Sequence, residues 1–127
     1  MKLTLLKISR YISLIVFVFS LSACGSNQNV EQVKTELTIP PGKILFISKT
    51  CSHCALVKQY ISDNKVLAKT YFVERDITSD QEAYQIMPLV GQRCGFTESN
   101  LGVPLFWDGT KCYLGDENII NYFKTLP

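Results

Sequence analysis

The chain has 127 residues, with 13 Lys and Arg against 11 Asp and Glu, and a formal charge of +2. Three of those cations, Lys2, Lys7 and Arg10, stand at the extreme N-terminus, so the rest of the chain is close to neutral and slightly acidic. That balance excludes a protein that holds nucleic acid by bulk charge.

After Arg10 an uncharged apolar run extends from Tyr11 to Leu21. It is too short to cross a bilayer comfortably, since the core needs about 20 apolar residues, and a basic start followed by a short apolar stretch is the layout of an export signal. The run closes on Leu21-Ser22-Ala23-Cys24, followed by the polar segment Gly25 to Asn29. This quartet resembles a bacterial lipobox. The resemblance implies cleavage after Ala23, lipid on Cys24, and anchoring at a bacterial membrane on its periplasmic or extracytoplasmic face. An ordinary secretory signal, or an uncleaved anchor, with Cys24 incidental is the alternative, and export is expected either way. Residues 1–23 are thus read as signal peptide and 24–42 as lipidated N-terminus and tether, closed by Pro40-Pro41-Gly42.

The folded domain is expected over 43–127, the size of one compact unit. Lys43 to Ser48 is a nearly continuous run of β-formers, which predicts a strand covered on both faces. From Ser52 to Asn64 the residues Ala55, Leu56, Tyr60 and Ile61, with Val57 beside them, predict one apolar helical stripe. Thr70 to Ile77 predicts a second strand, joined to the first by a right-handed parallel crossover. Ser79 or Asp80 caps a helix from Gln81 to Met87, which Pro88 is expected to interrupt or restart before Cys94-Gly95. Val103 to Leu114 reads as a hairpin turning at Asp108-Gly109, and Asp116 is expected to cap a last helix with Ile119, Ile120 and Phe123 inward. The order is β-α-β-α-β-β-α.

Cys51-Ser52-His53-Cys54 falls where the first strand hands over to the first helix. There the unpaired amides of the helix N-terminus point at the Cys51 sulfur and favour its thiolate, the reactive form. Cys54, one turn on, is placed to resolve a mixed disulfide. Ser48-Lys49-Thr50 before this motif, the Val103-Pro104 pair opening a strand, and Leu114-Gly115-Asp116 before the final helix complete a pattern that resembles the glutaredoxin and thioredoxin family. The resemblance covers about residues 43–126 and implies a thioredoxin-like α/β fold of glutaredoxin type, with a mixed four-stranded sheet flanked by helices. It implies a Cys51-Cys54 redox pair needing no other cofactor, a cis Pro104 beside it, and Val103 offering backbone hydrogen bonds to substrate. Ser52-His53 replaces the Pro-Tyr common in glutaredoxins, and only Gly115 stands where they carry two glycines.

His53, the only histidine, lies between the two cysteines, where an imidazolium would stabilise the Cys51 thiolate and make the disulfide a better oxidant. A solvent-facing imidazole with little influence is the alternative. Cys94 and Cys112 are read either as a structural disulfide, which export permits, or as two buried thiols. A four-cysteine zinc site is disfavoured because the second pair is not closely spaced, so no metal ligand set is expected. Lys49 is a further candidate for steadying the thiolate, while Phe106, Trp107 and Tyr113 read as core.

The function expected from these residues is thiol-disulfide exchange with exported protein thiols or disulfides, by a monomer attached to a membrane through Cys24. A membrane electron-transfer partner or glutathione would complete the cycle. Copper delivery through Cys51, His53 and Cys54, or a non-catalytic domain with a permanently closed disulfide, are the competing readings.

Overall fold

The computed structural model describes residues 36–127. The expected signal segment 1–23, the expected lipidation position Cys24 and most of the expected tether lie outside the described residues. The elements are β1 (Ile44–Ile47), α1 (Ser52–Asp63), α2 (Val66–Lys69), β2 (Val73–Asp76), α3 (Gln81–Arg93), β3 (Leu105–Trp107), β4 (Cys112–Leu114) and α4 (Asp116–Lys124).

β1 is buried at every residue because helices cover the sheet on both sides. Its side chains alternate, as the period of a strand requires. Leu45 and Ile47 join Phe106 from β3 in a core closed by Cys54, Val57, Val66, Ile119 and Phe123 of α1, α2 and α4. Ile44 and Phe46 join Leu105 and Trp107 on the opposite face, against Ala83, Ile86, Met87 and Val90 of α3. The sheet is four-stranded and mixed, in the order β2-β1-β3-β4. β1 runs parallel to β2, with Ile44 opposite Val73, and antiparallel to β3, with Leu45 opposite Phe106. β3 and β4 are antiparallel, with Trp107 opposite Cys112. This is an α/β domain whose flanking helices enclose two cores.

Aromatic residues fill the α4 side: Phe106 and Phe123 meet edge to face at 5.1 Å, and Phe72 stacks on Phe123 at 5.7 Å. Tyr122, absent from the expected apolar face of α4, packs on Tyr113 at 4.4 Å. Phe106 and Trp107 are core, as expected.

Several local expectations need correction. The helix after Asp80 does not stop at Pro88 but runs to Arg93 with the proline inside it. Asp80 caps it by accepting from the Ala83 amide at 3.0 Å, and Arg75 clasps Asp80 through two hydrogen bonds of 2.6 and 2.9 Å. Burial of Ala83, Ile86, Met87 and Val90 along one stripe outweighs the missing proline donor. In α1 the inward residues are Cys54 and Val57, with Tyr60 and Ile61 half-buried, whereas Leu56 is 50% exposed. A short extra helix, α2, follows Lys65, whose backbone is left-handed at φ 50°. Ile39, in the expected tether, packs against the α3 core.

Candidate functional site

Cys51 is the N-cap of α1, in extended conformation, and its own sulfur performs the capping. The Cys54 amide donates to Cys51 Sγ at 3.1 Å, the role that a serine or aspartate oxygen plays at most helix starts. The backbone thus aims a donor and the positive end of a helix at one sulfur. Cys51 is partly exposed and Cys54 buried, and both are thiols here. Burial, followed by the hydrogen bond with Cys51, pushes the Cys54 thiol up to about 12. One sulfur is therefore accessible and the other is kept protonated behind it.

The Val103–Pro104 peptide bond is cis, as the family resemblance implies. Cys51 Sγ lies 3.6 Å from the Val103 carbonyl oxygen, so the loop before β3 is brought against the start of α1 across 52 positions of sequence. Pro104 is buried, and its carbonyl accepts from the Gly115 amide at 2.9 Å.

Gly115, not Asp116, is the N-cap of α4; its φ of 85° suits glycine alone, and no side chain caps that helix. The Asp116 carboxylate is turned to His53 instead, with Oδ1 2.9 Å from Nδ1. His53 stays 66% exposed. Lys49 extends to Asp76 at 3.4 Å. Asp76 also accepts hydrogen bonds from Thr78 and Ser79, and these contacts, led by the Thr78 hydroxyl, bring its carboxyl down to about 2.

One hollow reaches the sulfurs and another lies beside the Val103–Pro104 loop. A groove of about 340 Å³ is lined by His53, residues 99–104 and residues 114–116. A second hollow, of about 320 Å³, lies between β1 and α1 and reaches both Cys51 and Cys54 beside Lys49 and Lys58.

Cys94 and Cys112 form a disulfide with their Cα atoms 5.9 Å apart, linking the C-cap of α3 to β4. Their separation falls within the ordinary range of about 4.4 to 6.8 Å. Among the described residues, no group of three or more His, Cys, Asp or Glu is arranged to hold a metal ion. Nor is any helix among them long and apolar enough to cross a membrane.

The structure therefore brings Cys51, Cys54, His53, Val103 and Pro104 to one end of the sheet, and places Cys94 and Cys112 apart from the sulfurs as a pair of their own. Two features escaped the sequence reading. Asp116 as the partner of His53 has no local signal, since the two are 63 positions apart. The groove wall of Ser99, Asn100 and Leu101 carries no motif. No protein-family model matches the chain, and no curated protein is recognisably similar to it in sequence.

Proposed function

We propose that this protein is a thiol-disulfide oxidoreductase of thioredoxin-like fold, of the glutaredoxin and thioredoxin family, with Cys51 as nucleophile and Cys54 as resolving thiol. The observation that carries the reading is Cys51 Sγ at the N-cap of α1, accepting from the Cys54 amide at 3.1 Å. Such a position stabilises negative charge on sulfur, which exchange requires.

In the reducing direction the Cys51 thiolate attacks one sulfur of a substrate disulfide. A Cys51-substrate disulfide forms, and the other substrate sulfur leaves as a thiolate that takes up a proton. Cys54, deprotonated as it reacts, attacks Cys51 Sγ, which releases the second substrate thiol and leaves a Cys51-Cys54 disulfide. Two electrons pass from the protein dithiol to the substrate, and the oxidising direction is the reverse. The Val103 carbonyl, already 3.6 Å from Cys51 Sγ, supports its assigned role as a backbone acceptor for an extended substrate, with Pro104 beneath it.

The N-terminal pattern supports placing this chemistry outside the cytosol, with lipid on Cys24 holding a monomer at a bacterial membrane surface. Exported protein thiols or disulfides are the substrates, and a membrane electron carrier or glutathione restores the pair.

The test is trapping. With Cys54→Ser, a disulfide-bearing substrate is captured on Cys51 as a stable adduct visible by mass, and with Cys51→Ser none forms. Equal absence of adduct in both variants contradicts the reading.

A further inference from the structure

We propose that the end of the domain opposite the sulfurs is a bilayer-docking surface. It seats Leu67 and Tyr71 at the interface of an anionic lipid membrane and points Cys51 away from it. The inference rests on the reading that the protein is held at a membrane through Cys24, and adds the face presented there and the lipid class that this face takes.

Strand direction defines the two ends. β1 runs from Ile44 towards Cys51, and β2 lies parallel to it with Val73 opposite Ile44. The chain therefore enters the sheet, through Gly42 and Lys43, at the end far from the sulfurs, and α1 and α2 return to that end before β2 begins. Lys43 Nζ donates to Thr70 Oγ1 at 2.7 Å, which ties the entry to the residue before Tyr71. The hairpin of β3 and β4 turns at the same end, since Trp107 is opposite Ile44. α1 has 12 residues and so spans about 18 Å from Cys51 towards this end.

The end is basic and carries apolar tips. Over 65–71 Val66 and Thr70 are buried, while Lys65, Leu67, Lys69 and Tyr71 are exposed, Leu67 by 59% and Tyr71 by 81%. Arg93 joins them through the Cys94–Cys112 link to the hairpin, Lys111 stands in the hairpin turn, and Lys124 follows Phe123, which stacks on Phe72 just before β2. Among the described residues none of these cations is in an ion pair. The acids at this end are Asp63 and the C-terminal carboxylate, with Glu36 on the incoming chain and Asp108 engaged by the Thr110 and Lys111 amides. At the sulfur end the balance is reversed: Asp76, Asp80, Glu82, Asp116 and Glu117 gather there, and Lys49 and Arg75 are already paired with the first three.

An anionic leaflet attracts the basic end and repels the acidic one, each cation near the surface contributing about fivefold. A tyrosine ring settles at headgroup level, and lysine stems lie along apolar surface while their ammonium groups stay in water. Apolar tips set singly among cations suit a lipid surface, and the chain that carries Cys24 leads into this end.

Full-length protein is added to vesicles of phosphatidylglycerol with phosphatidylcholine, or of phosphatidylcholine alone, brominated near the headgroups so that tryptophan is quenched on contact. Tyr71→Trp reports the docking end, and Gln81→Trp, at the start of α3, reports the sulfur end; Trp107 is buried and gives both the same background. Quenching is expected in Tyr71→Trp and not in Gln81→Trp, only with phosphatidylglycerol, and is lost at about 1 M salt. Adding Lys65→Asn and Lys69→Gln lowers the ratio of docked to undocked protein at least about tenfold. Asparagine accepts the left-handed backbone at position 65. Leu67→Ser also lowers the ratio and Leu67→Phe keeps it. Equal quenching of the two reporters, quenching that ignores phosphatidylglycerol or the lysines, or an unquenched Tyr71→Trp protein that still floats with the vesicles overturns the docking surface and leaves anchoring through Cys24 intact. Protein that floats with neither kind of vesicle overturns both.

Discussion

His53 Nδ1 lies 2.9 Å from Asp116 Oδ1, so the residue between the two cysteines is held by the first residue of the last helix. An imidazolium stabilises a nearby thiolate and a carboxylate opposes it. The two variants should therefore move the reduction potential in opposite directions. His53→Ala should make the pair more reducing by about 30 mV, equivalent to about 1.4 kcal/mol. Asp116→Asn should make it more oxidising. The shift stays modest because the imidazole is largely in solvent, and an unchanged potential in His53→Ala removes the electrostatic role.

The two site thiols should differ sharply in reactivity. Cys54 is 1% exposed and its thiol is pushed up to about 12, whereas Cys51 reaches the surface. Brief treatment of the reduced protein with iodoacetamide at about pH 7 should alkylate Cys51 at least about tenfold faster than Cys54, because the thiolate is the nucleophile. Peptide mass mapping reads the ratio, and comparable labelling would show that burial does not separate the two roles.

The same burial gives a pH dependence of stability. Burial first, and then the bond with Cys51, moves the Cys54 thiol from 9.0 to about 12 on folding. Between those values the unfolded chain has released this proton and the folded chain keeps it. Stability present below about pH 9 is therefore lost as pH rises towards about 12. Urea midpoints of the reduced protein should fall through this window relative to the protein with Cys51 and Cys54 disulfide-linked, in which Cys54 does not titrate. Parallel curves for the two forms would contradict the assignment.

Much of this arrangement was legible in the sequence because it is written locally. The apolar run at Ile44–Ile47, the cysteine motif directly after it and the turn residues Asp108-Gly109 each declare an element within a few positions. The errors came where packing decides. Pro88 looks like a helix end until one sees the buried stripe on both sides of it, and Leu56 looks buried until Cys54 and Val57 take the inner face. Asp116 looks like a cap, but Gly115 adopts the special conformation and sets the carboxylate free to meet His53. Distant pairings of that kind have no periodic signature.

The Cys94–Cys112 disulfide closes a loop between positions 18 apart. Constraining the unfolded chain over such a length is worth about 3 kcal/mol. Replacing both residues with Ser should lower the unfolding free energy by about that amount in chemical denaturation. A loss near zero would mean that the link does not constrain the chain.

The most direct test of the account is the equilibrium of the Cys51-Cys54 pair itself. The protein, with Cys94–Cys112 intact, is equilibrated in glutathione buffers of graded ratio, quenched by alkylation, and the state of the Cys51 and Cys54 peptide is read by mass. The account predicts a reversible two-electron transition with a midpoint between about −120 mV, favouring disulfide donation, and about −270 mV, favouring reduction. If Cys51 and Cys54 never join, or once joined cannot be reopened by dithiols, the protein is not an oxidoreductase of this kind.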